Sequence, residues 1–241
     1  MKRLLPPKTK VGHTGTLDPL ASGLLVLLIG RSTRLSRYVT DLDKAYTATA
    51  RFGAVSDTLD ADGYVTPLKA PMPDENTIRS TLPNFTGDLL QIPPMASAIK
   101  REGVRLYDLH RRGITVEREP RPVTIHSLDL VAIDPARKCA AFEISCTSGT
   151  YVRTLISDLA NHLETGAYLT ALRRTSVGHL TVEQASLTDD LSDTTLCSRI
   201  IQPGEVVAHL PRVEVGEEEE LAVRRGRALP ARGMGGNFRV E

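Results

Sequence analysis

Apolar and polar residues change period several times along the chain, and each change marks a predicted element. Residues 1–23 are rich in Lys, Pro, Gly and Thr and read as a loop. Between Gly23 and Gly30 the run Leu24-Leu25-Val26-Leu27-Leu28-Ile29 predicts a short buried strand. From Arg31 to Leu42 the spacing of Leu35, Tyr38, Val39 and Leu42 predicts a helix with one apolar face. The period then falls to two. Tyr46, Ala48, Ala50 and Phe52 alternate with Thr47, Thr49 and Arg51, as in a half-buried strand. An acidic turn from Asp57 to Gly63 closes that segment.

Further on, Ile78 and Leu82 lie four apart and predict a helix over Asp74–Leu82. Ile92-Pro93-Pro94 interrupts the pattern, and a helical one resumes from Val104 to Arg112. Strands are predicted at Val123–Ile133 and Ala140–Cys146, the second with Phe142, Ile144 and Cys146 on one face. Thr150–Leu163 is the clearest helix, with an apolar stripe of Val152, Leu155, Ile156, Leu159 and Leu163. Strands and helices interleave without a regular βαβ repeat. The expected class is therefore α+β, with a mixed, mostly antiparallel central sheet and flanking helices. After about Asp193 the character shifts to a short linker and an acidic helical piece within Leu210–Leu229, ending in Arg-Gly-Met-Gly-Gly. The expected division is a larger domain over residues 1–193 and the opening of a second domain over 194–241.

Composition narrows the class. A chain of 241 residues that is 41% hydrophobic and 24% charged can bury a globular core. No apolar run approaches the ~20 residues of a membrane-spanning helix. Pro6, Pro7, Lys8 and Lys10 leave no apolar core for a signal peptide, so a cytoplasmic protein is expected. Cys139, Cys146 and Cys197 are odd in number and form no Cys-x-x-Cys pair, which suggests neither a disulfide framework nor a zinc site.

Net charge is only +1, but its distribution is uneven. Basic residues gather at Lys2 to Lys10, at Arg31, Arg34 and Arg37, from Lys100 to Arg112, and at Arg173 and Arg174. Acidic residues gather at Asp189 to Asp193 and Glu217 to Glu220. One basic face for phosphates and ordinary solvated charge fit this pattern equally well.

Several chemistries lack their motifs. Neither Gly-x-x-x-x-Gly-Lys-Ser/Thr nor Gly-x-Gly-x-x-Gly is present, and Gly-x-Ser-x-Gly and His-Glu-x-x-His are absent too. Registering Gly63 as the sixth residue of a calcium loop puts Thr58 first and Lys69 twelfth, where acidic ligands belong. The Asp57–Gly63 segment therefore reads as a solvated turn, and no metal is expected.

The stretch Gly12-His13-Thr14-Gly15-Thr16-Leu17-Asp18-Pro19-Leu20-Ala21-Ser22-Gly23 holds one carboxylate ahead of an apolar run. Pro19 restricts Asp18 to extended backbone, and Gly12 and Gly15 allow sharp turns. A carboxylate fixed on such a loop suits a nucleophile or general base. It equally suits an Asx turn in which Asp18 binds only nearby backbone N–H groups.

This stretch resembles the signature of the TruB-type pseudouridine synthases. Further segments agree in order and spacing: Lys44-Ala45-Tyr46, Asp57 to Gly63, Gln91-Ile92-Pro93-Pro94 leading to Ser97-Ala98-Ile99-Lys100, Ser148-Gly149-Thr150-Tyr151-Val152-Arg153, and Leu172-Arg173-Arg174. The resemblance spans roughly residues 11–190. It implies the pseudouridine synthase fold and isomerisation of a uridine in the T loop of tRNA, at position 55, without a cofactor.

The resemblance makes Asp18 the aspartate required for catalysis. Tyr46 would stack on the flipped base and help move its proton, Arg153 would pair with and aim Asp18, and Tyr151 and Leu172 would line the pocket. His13 would enter the tRNA loop near the gap left by the extruded nucleotide. Lys100 and Arg174 are candidates for phosphate contacts. Simpler roles stay open: Tyr46 as a core tyrosine, Arg153 as a surface helix arginine, His13 as a loop histidine, and Leu172 as a core leucine on a short helix.

Two departures from the family pattern give further expectations. The opening strand, with its Lys-Pro pair, and the helix that follows are missing ahead of Gly12. A start upstream of Met1 or a shortened form would account for that, and an exposed sheet edge and a loosely held Asp18 loop are expected. Residues from about Val213 resemble only the first part of a C-terminal RNA-binding domain of the PUA type. The leading expectation is an active, monomeric, cofactor-free tRNA uridine isomerase gripping the T-stem loop. Its rivals are a truncated tRNA-binding or RNA-folding module without catalysis, a guide-RNA-dependent relative, and a general acid–base enzyme for small molecules.

Overall fold

Alternating side chains build the sheet that carries the site. The computed structural model describes residues 2–101 and 103–229, with the backbone alone for Arg239–Val240. Among them a seven-stranded sheet is formed by β1 (Ala21–Gly23), β2 (Lys44–Phe52), β3 (Gly87–Gln91), β4 (Arg121–Asp134), β5 (Cys139–Cys146), β6 (Ala167–Val177) and β7 (Leu180–Thr181). The order is β7-β6-β2-β5-β4-β3, antiparallel throughout, and β1 adds to β6 in parallel. The α+β class with a mostly antiparallel sheet is therefore correct.

Register explains the core. Ala48 lies opposite Phe142 on one side and Leu172 on the other, and Ala50 lies opposite Ala140 and Leu169. Small residues on β2 leave room for larger ones on its neighbours and for the helix α3 (Val152–His162) above them. That helix follows α1 (Glu75–Thr81) and α2 (Leu106–Arg111) in the chain. Val152, Leu155, Ile156 and Leu159 of α3 are buried with Phe52, Phe142 and Ile144. Each such large side chain contributes about 1.5–3 kcal/mol of apolar burial. At the start of α1, Asp74 accepts from Thr77 N (2.9 Å) and Thr77 Oγ1 (2.7 Å), a side-chain cap that fixes the helix at its predicted start.

Several predicted elements take another form. The loop predicted over residues 1–23 contains the short strands Val11–His13 and Ala21–Gly23 and a 3-10 turn at Lys2–Leu4. The single strand predicted at Gly23–Gly30 is only Leu27–Ile29, because Gly23 turns the chain with φ of 95°. The Arg31–Leu42 helix is a 3-10 segment, Gly30–Leu35, followed by a short α-turn, Ser36–Thr40; Ile29 at its start offers no side-chain cap. Lys100–Arg101 pairs antiparallel with Val104–Arg105 in two rungs ahead of α2, where a single helix was expected from Val104. Leu172, expected on a short helix, lies on β6. Register shifts between Leu169 and Ala171 and between Arg174 and Ser176 break the strict alternation of that strand and imitate a helical spacing.

The chain divides into two compact units. One takes in His13–Leu27 and Thr40–Ala185 and holds the sheet and α1 to α3. The other comprises Met1–Gly12, Leu28–Val39 and Ser186–Glu241, with Leu196, Val206, Val207 and Val213 buried inside it. Its helix Glu217–Arg224 has four glutamates in the first turn, where the helix dipole favours negative charge. The predicted Arg-Gly-Met-Gly-Gly ending lies outside the described residues. No helix among the described residues is long and apolar enough to cross a membrane.

Candidate active site

Asp18 sits on a loop stitched to β6 from both sides. Ala21 N donates to Asp18 O (2.8 Å) and Leu24 N to Arg174 O (2.8 Å). Arg174, 3% exposed, donates from Nε to Leu24 O (2.8 Å) and from Nη2 to Gly15 O (3.0 Å). Gly23 passes so close to β6 that a Cβ there would lie 2.2 Å from Arg174 O. The expectation of a loosely held loop is thus corrected: strand pairing and a buried guanidinium fix it. Arg174 is likewise corrected as a phosphate contact, because its guanidinium is turned inward onto carbonyls.

The helix α3 brings a second buried guanidinium to the same place. Arg153 lies on its first turn, with its side chain 3% exposed, and donates from Nε to Asp18 Oδ2 at 2.8 Å. Its Nη1 reaches Thr58 O (2.7 Å) and its Nη2 reaches Ala96 O (2.9 Å). A surface-helix arginine is therefore ruled out; the side chain is buried and every nitrogen is used. Asp18 remains 34% exposed, so its carboxylate is both anchored and reachable.

The acidic turn proves to be part of this cluster. Asp60 is 4% exposed at its side chain and stands 3.5 Å from Arg153 Nε. Its Oδ1 accepts from Thr58 Oγ1 (2.6 Å) and Asp62 N (3.1 Å), and Leu169 N on β6 donates to Leu59 O (3.1 Å). Leu59 takes φ of 65°, an uncommon conformation for a branched apolar residue. At Gly63 a Cβ would lie 2.2 Å from Asp57 Oδ1 and 2.3 Å from Thr58 Oγ1, so a side chain there would displace both of these turn side chains. Reading Asp57–Gly63 as a solvated turn was correct for Asp57, Ala61 and Asp62, which are exposed, and not for Asp60. Sequence spacing gave no sign that Asp60 faces inward.

Two phenols complete the site. Tyr46 is paired with Arg174 across β2 and β6, and burial raises its phenol above the ordinary tyrosine value while the Arg174 charge opposes the shift. Burial likewise raises Tyr151, which lies beside Ser97. The Asp18 charge reaches both rings and pushes in the same direction. Both phenols are half-buried, keep their protons at neutral pH and can offer an aromatic face and an O–H. Leu172 is buried beside Ala21 of β1 and Ala48 of β2. His13 and Lys100 are exposed, and neither bonds a member of the Arg153 cluster. The hairpin of Lys100 instead leads into a basic cluster in which Arg105 and Arg111 lie 5.7 and 5.4 Å from the Tyr107 ring.

Known proteins resemble this chain over most of its length. The family model for the N-terminal domain of TruB family pseudouridylate synthases matches residues 2–152, and that for the tRNA pseudouridylate synthase B C-terminal domain matches residues 153–208. The tRNA pseudouridine synthase B of Thiobacillus denitrificans is 44% identical over 224 residues, 92% of this chain and 74% of that protein. Its counterpart from Burkholderia lata is 46% identical over 232 residues, 95% of this chain and 71% of that protein. Among solved structures, a Cbf5-Nop10-Gar1 complex contains a chain similar at TM-score 0.67 and 25% identity, over 90% of this chain. The present chain spans 59% of that chain's length.

Proposed function

This chain belongs to the TruB family of pseudouridylate synthases, and on that premise we propose that it converts a uridine in the T loop of tRNA, at position 55, to pseudouridine. The observation that carries the reading is the Arg153–Asp18 pair: a partly exposed carboxylate held at 2.8 Å by a buried guanidinium, with two protonated phenols close by.

The isomerisation breaks the N1–C1′ bond, forms a C5–C1′ bond, and replaces the proton lost from C5 by one gained at N1. It is redox-neutral, and nothing is added or removed overall, so it needs no cofactor. The base must leave the stack for the ring to turn over. Tyr46 offers the extruded uracil an aromatic face and an O–H for proton movement. Asp18 is the group that attacks or deprotonates, and Arg153 aims it. Tyr151 and Leu172 close the pocket around the ring. His13, exposed on the loop that carries Asp18, fills the gap in the RNA. Lys100, on its basic hairpin, contacts phosphate.

The test is unmodified tRNA transcript incubated with the purified chain and with Asp18→Asn, then mapped for pseudouridine. Product in the T loop from the parent and none from the variant is the expected result. Bound tRNA without product from either would overturn the reading in favour of a binding module.

A further inference from the structure

Gln91 is the last residue of β3, the edge strand of the sheet, and it is 2% exposed while its neighbours Leu90 and Ile92 are 71% and 48% exposed. A buried carboxamide at a sheet edge needs partners. Gln91 finds both on one distant residue. Its Oε1 accepts from Tyr151 N at 3.0 Å, and its Nε2 donates to Tyr151 O at 3.3 Å. The side chain thus forms a two-bond ring with the backbone of Tyr151, as a neighbouring strand would.

Tyr151 is the residue from which α3 starts, with extended backbone (φ −99°, ψ 103°) and no side-chain cap of its own. Its carbonyl also accepts the first helical bond, from Leu155 N at 3.0 Å. Gln91 therefore fixes the orientation of the peptide that launches the helix. Arg153 is two residues further on, and Ala96, only five residues after Gln91, accepts from its Nη2. Between these points Arg118 Nη1 holds Pro93 O at 3.1 Å. The end of β3 and the segment after it thus grip the start of α3 twice, Gln91 at the Tyr151 backbone and Ala96 at the Arg153 side chain.

We propose that Gln91 is a positioning residue, acting through the backbone of Tyr151 to set the geometry of the Arg153–Asp18 pair. This rests on the proposed pseudouridine synthase activity only for its catalytic consequence; the positional claim stands independently. Gln91→Met keeps length and burial and removes both bonds. A displacement of about 1 Å in a catalytic group costs on the order of 10²-fold in rate. The expected result for Gln91→Met is a fall in kcat of about tenfold or more, with KM and tRNA Kd within about twofold of the parent.

A double-mutant cycle separates positioning from general destabilisation. In an Arg153→Ala background, Gln91→Met should remove little further kcat, because the group it positions is gone. An equal loss in both backgrounds overturns the proposal, as does a loss confined to KM or to the melting temperature. If Gln91→Met does not fold, Gln91→Glu keeps the acceptor for Tyr151 N and loses the donor, and the same outcomes apply. Independently of activity, the Arg153 Nε–H resonance, assigned by its absence from Arg153→Lys, should shift in Gln91→Met or Gln91→Glu. An unchanged resonance overturns the proposal. A shifted resonance with an inactive parent supports the positioning role and refutes the proposed activity instead.

Discussion

Asp18 and Asp60 share one guanidinium. Arg153 Nε is 2.8 Å from Asp18 Oδ2 and 3.5 Å from Asp60 Oδ2, and the two carboxylates differ sharply in exposure, 34% against 4%. The division of labour follows. Asp60 is the permanent counter-ion that lets Arg153 be buried, which leaves Asp18 free to change charge or bonding during a reaction without stranding a buried cation.

Asp60→Ala should therefore lower stability by about 3 kcal/mol, through the weakened neutralisation of Arg153 and the lost bonds to Thr58 and Asp62. Asp60→Asn keeps an acceptor for those two groups and should lose less stability while still lowering kcat. Urea unfolding and single-turnover rates check both. Asp60→Ala within about 0.5 kcal/mol of the parent would show that Asp60 is not the counter-ion.

Asp18→Asn should abolish turnover and spare tRNA affinity, since the carboxylate is partly exposed and its loss leaves Arg153 with Asp60, Thr58 O and Ala96 O. Arg153→Ala strands the buried Asp60 and should cost about 3–5 kcal/mol of stability, with kcat falling far more than affinity. Arg153→Lys keeps the charge but cannot span one carboxylate and two carbonyls, so its kcat should also fall. Filter binding beside rate measurements separates the two quantities. Equal affinity losses with normal turnover in the Arg153 variants would overturn the pocket assignment.

Gly23→Ala tests how the Asp18 loop is held. The added methyl would sit 2.2 Å from Arg174 O and 2.9 Å from Arg174 N, both backbone, on a residue with φ of 95°. Neither neighbour can yield without parting β1 from β6. The expected outcome is a loss of at least about 2 kcal/mol and a fall in kcat, read by melting and by product formation. Gly30→Ala, with φ of 61° but nothing within 4 Å of the added Cβ, supplies the comparison and should lose only the smaller backbone strain.

Much of the sheet was legible because it obeys simple alternation. The apolar faces of Ala48, Ala50 and Phe52 and of Phe142, Ile144 and Cys146 are buried as their period predicts, and the stripe of α3 faces them. The Asp18 loop was visible through Gly, Pro and Thr, and through its resemblance to a family signature. What the pattern could not reveal is contact between distant segments. Asp60 faces inward within a turn in which Leu59 adopts positive φ and Gly63 packs close to the Asp57 and Thr58 side chains, and neither feature leaves a periodic trace. Leu172 and Arg174 were obscured by bulges that only register shows. Arg174 in particular is paired with loop carbonyls some 150 positions earlier in the chain, so its charge read as surface when it is core.

Cys146 supplies a prediction in pH. It is fully buried, its Sγ donates to Lys44 O at 3.8 Å, and burial pushes its thiol from 9.0 to about 11. The Lys44 charge opposes that shift and the Asp43 charge adds to it. In the unfolded chain the thiol ionises near its ordinary value, whereas in the fold it stays neutral until about 11. Below the unfolded value both states are protonated and the contribution to stability is fully present. As pH rises from about 9 to about 11, the unfolded state sheds its proton first and stability falls. Moving the thiol from 9.0 to about 11 corresponds to about 2–3 kcal/mol over that window. Burial also raises the phenols of Tyr46 and Tyr151 and lowers the Lys44 amine, and parent and Cys146→Ala both carry these groups. The thiol is therefore isolated by comparing parent with Cys146→Ala. The variant should be less stable near pH 7 because a buried group is lost, and the gap should narrow steadily toward pH 11. A constant gap across that range would mean that the thiol is not held protonated by the fold.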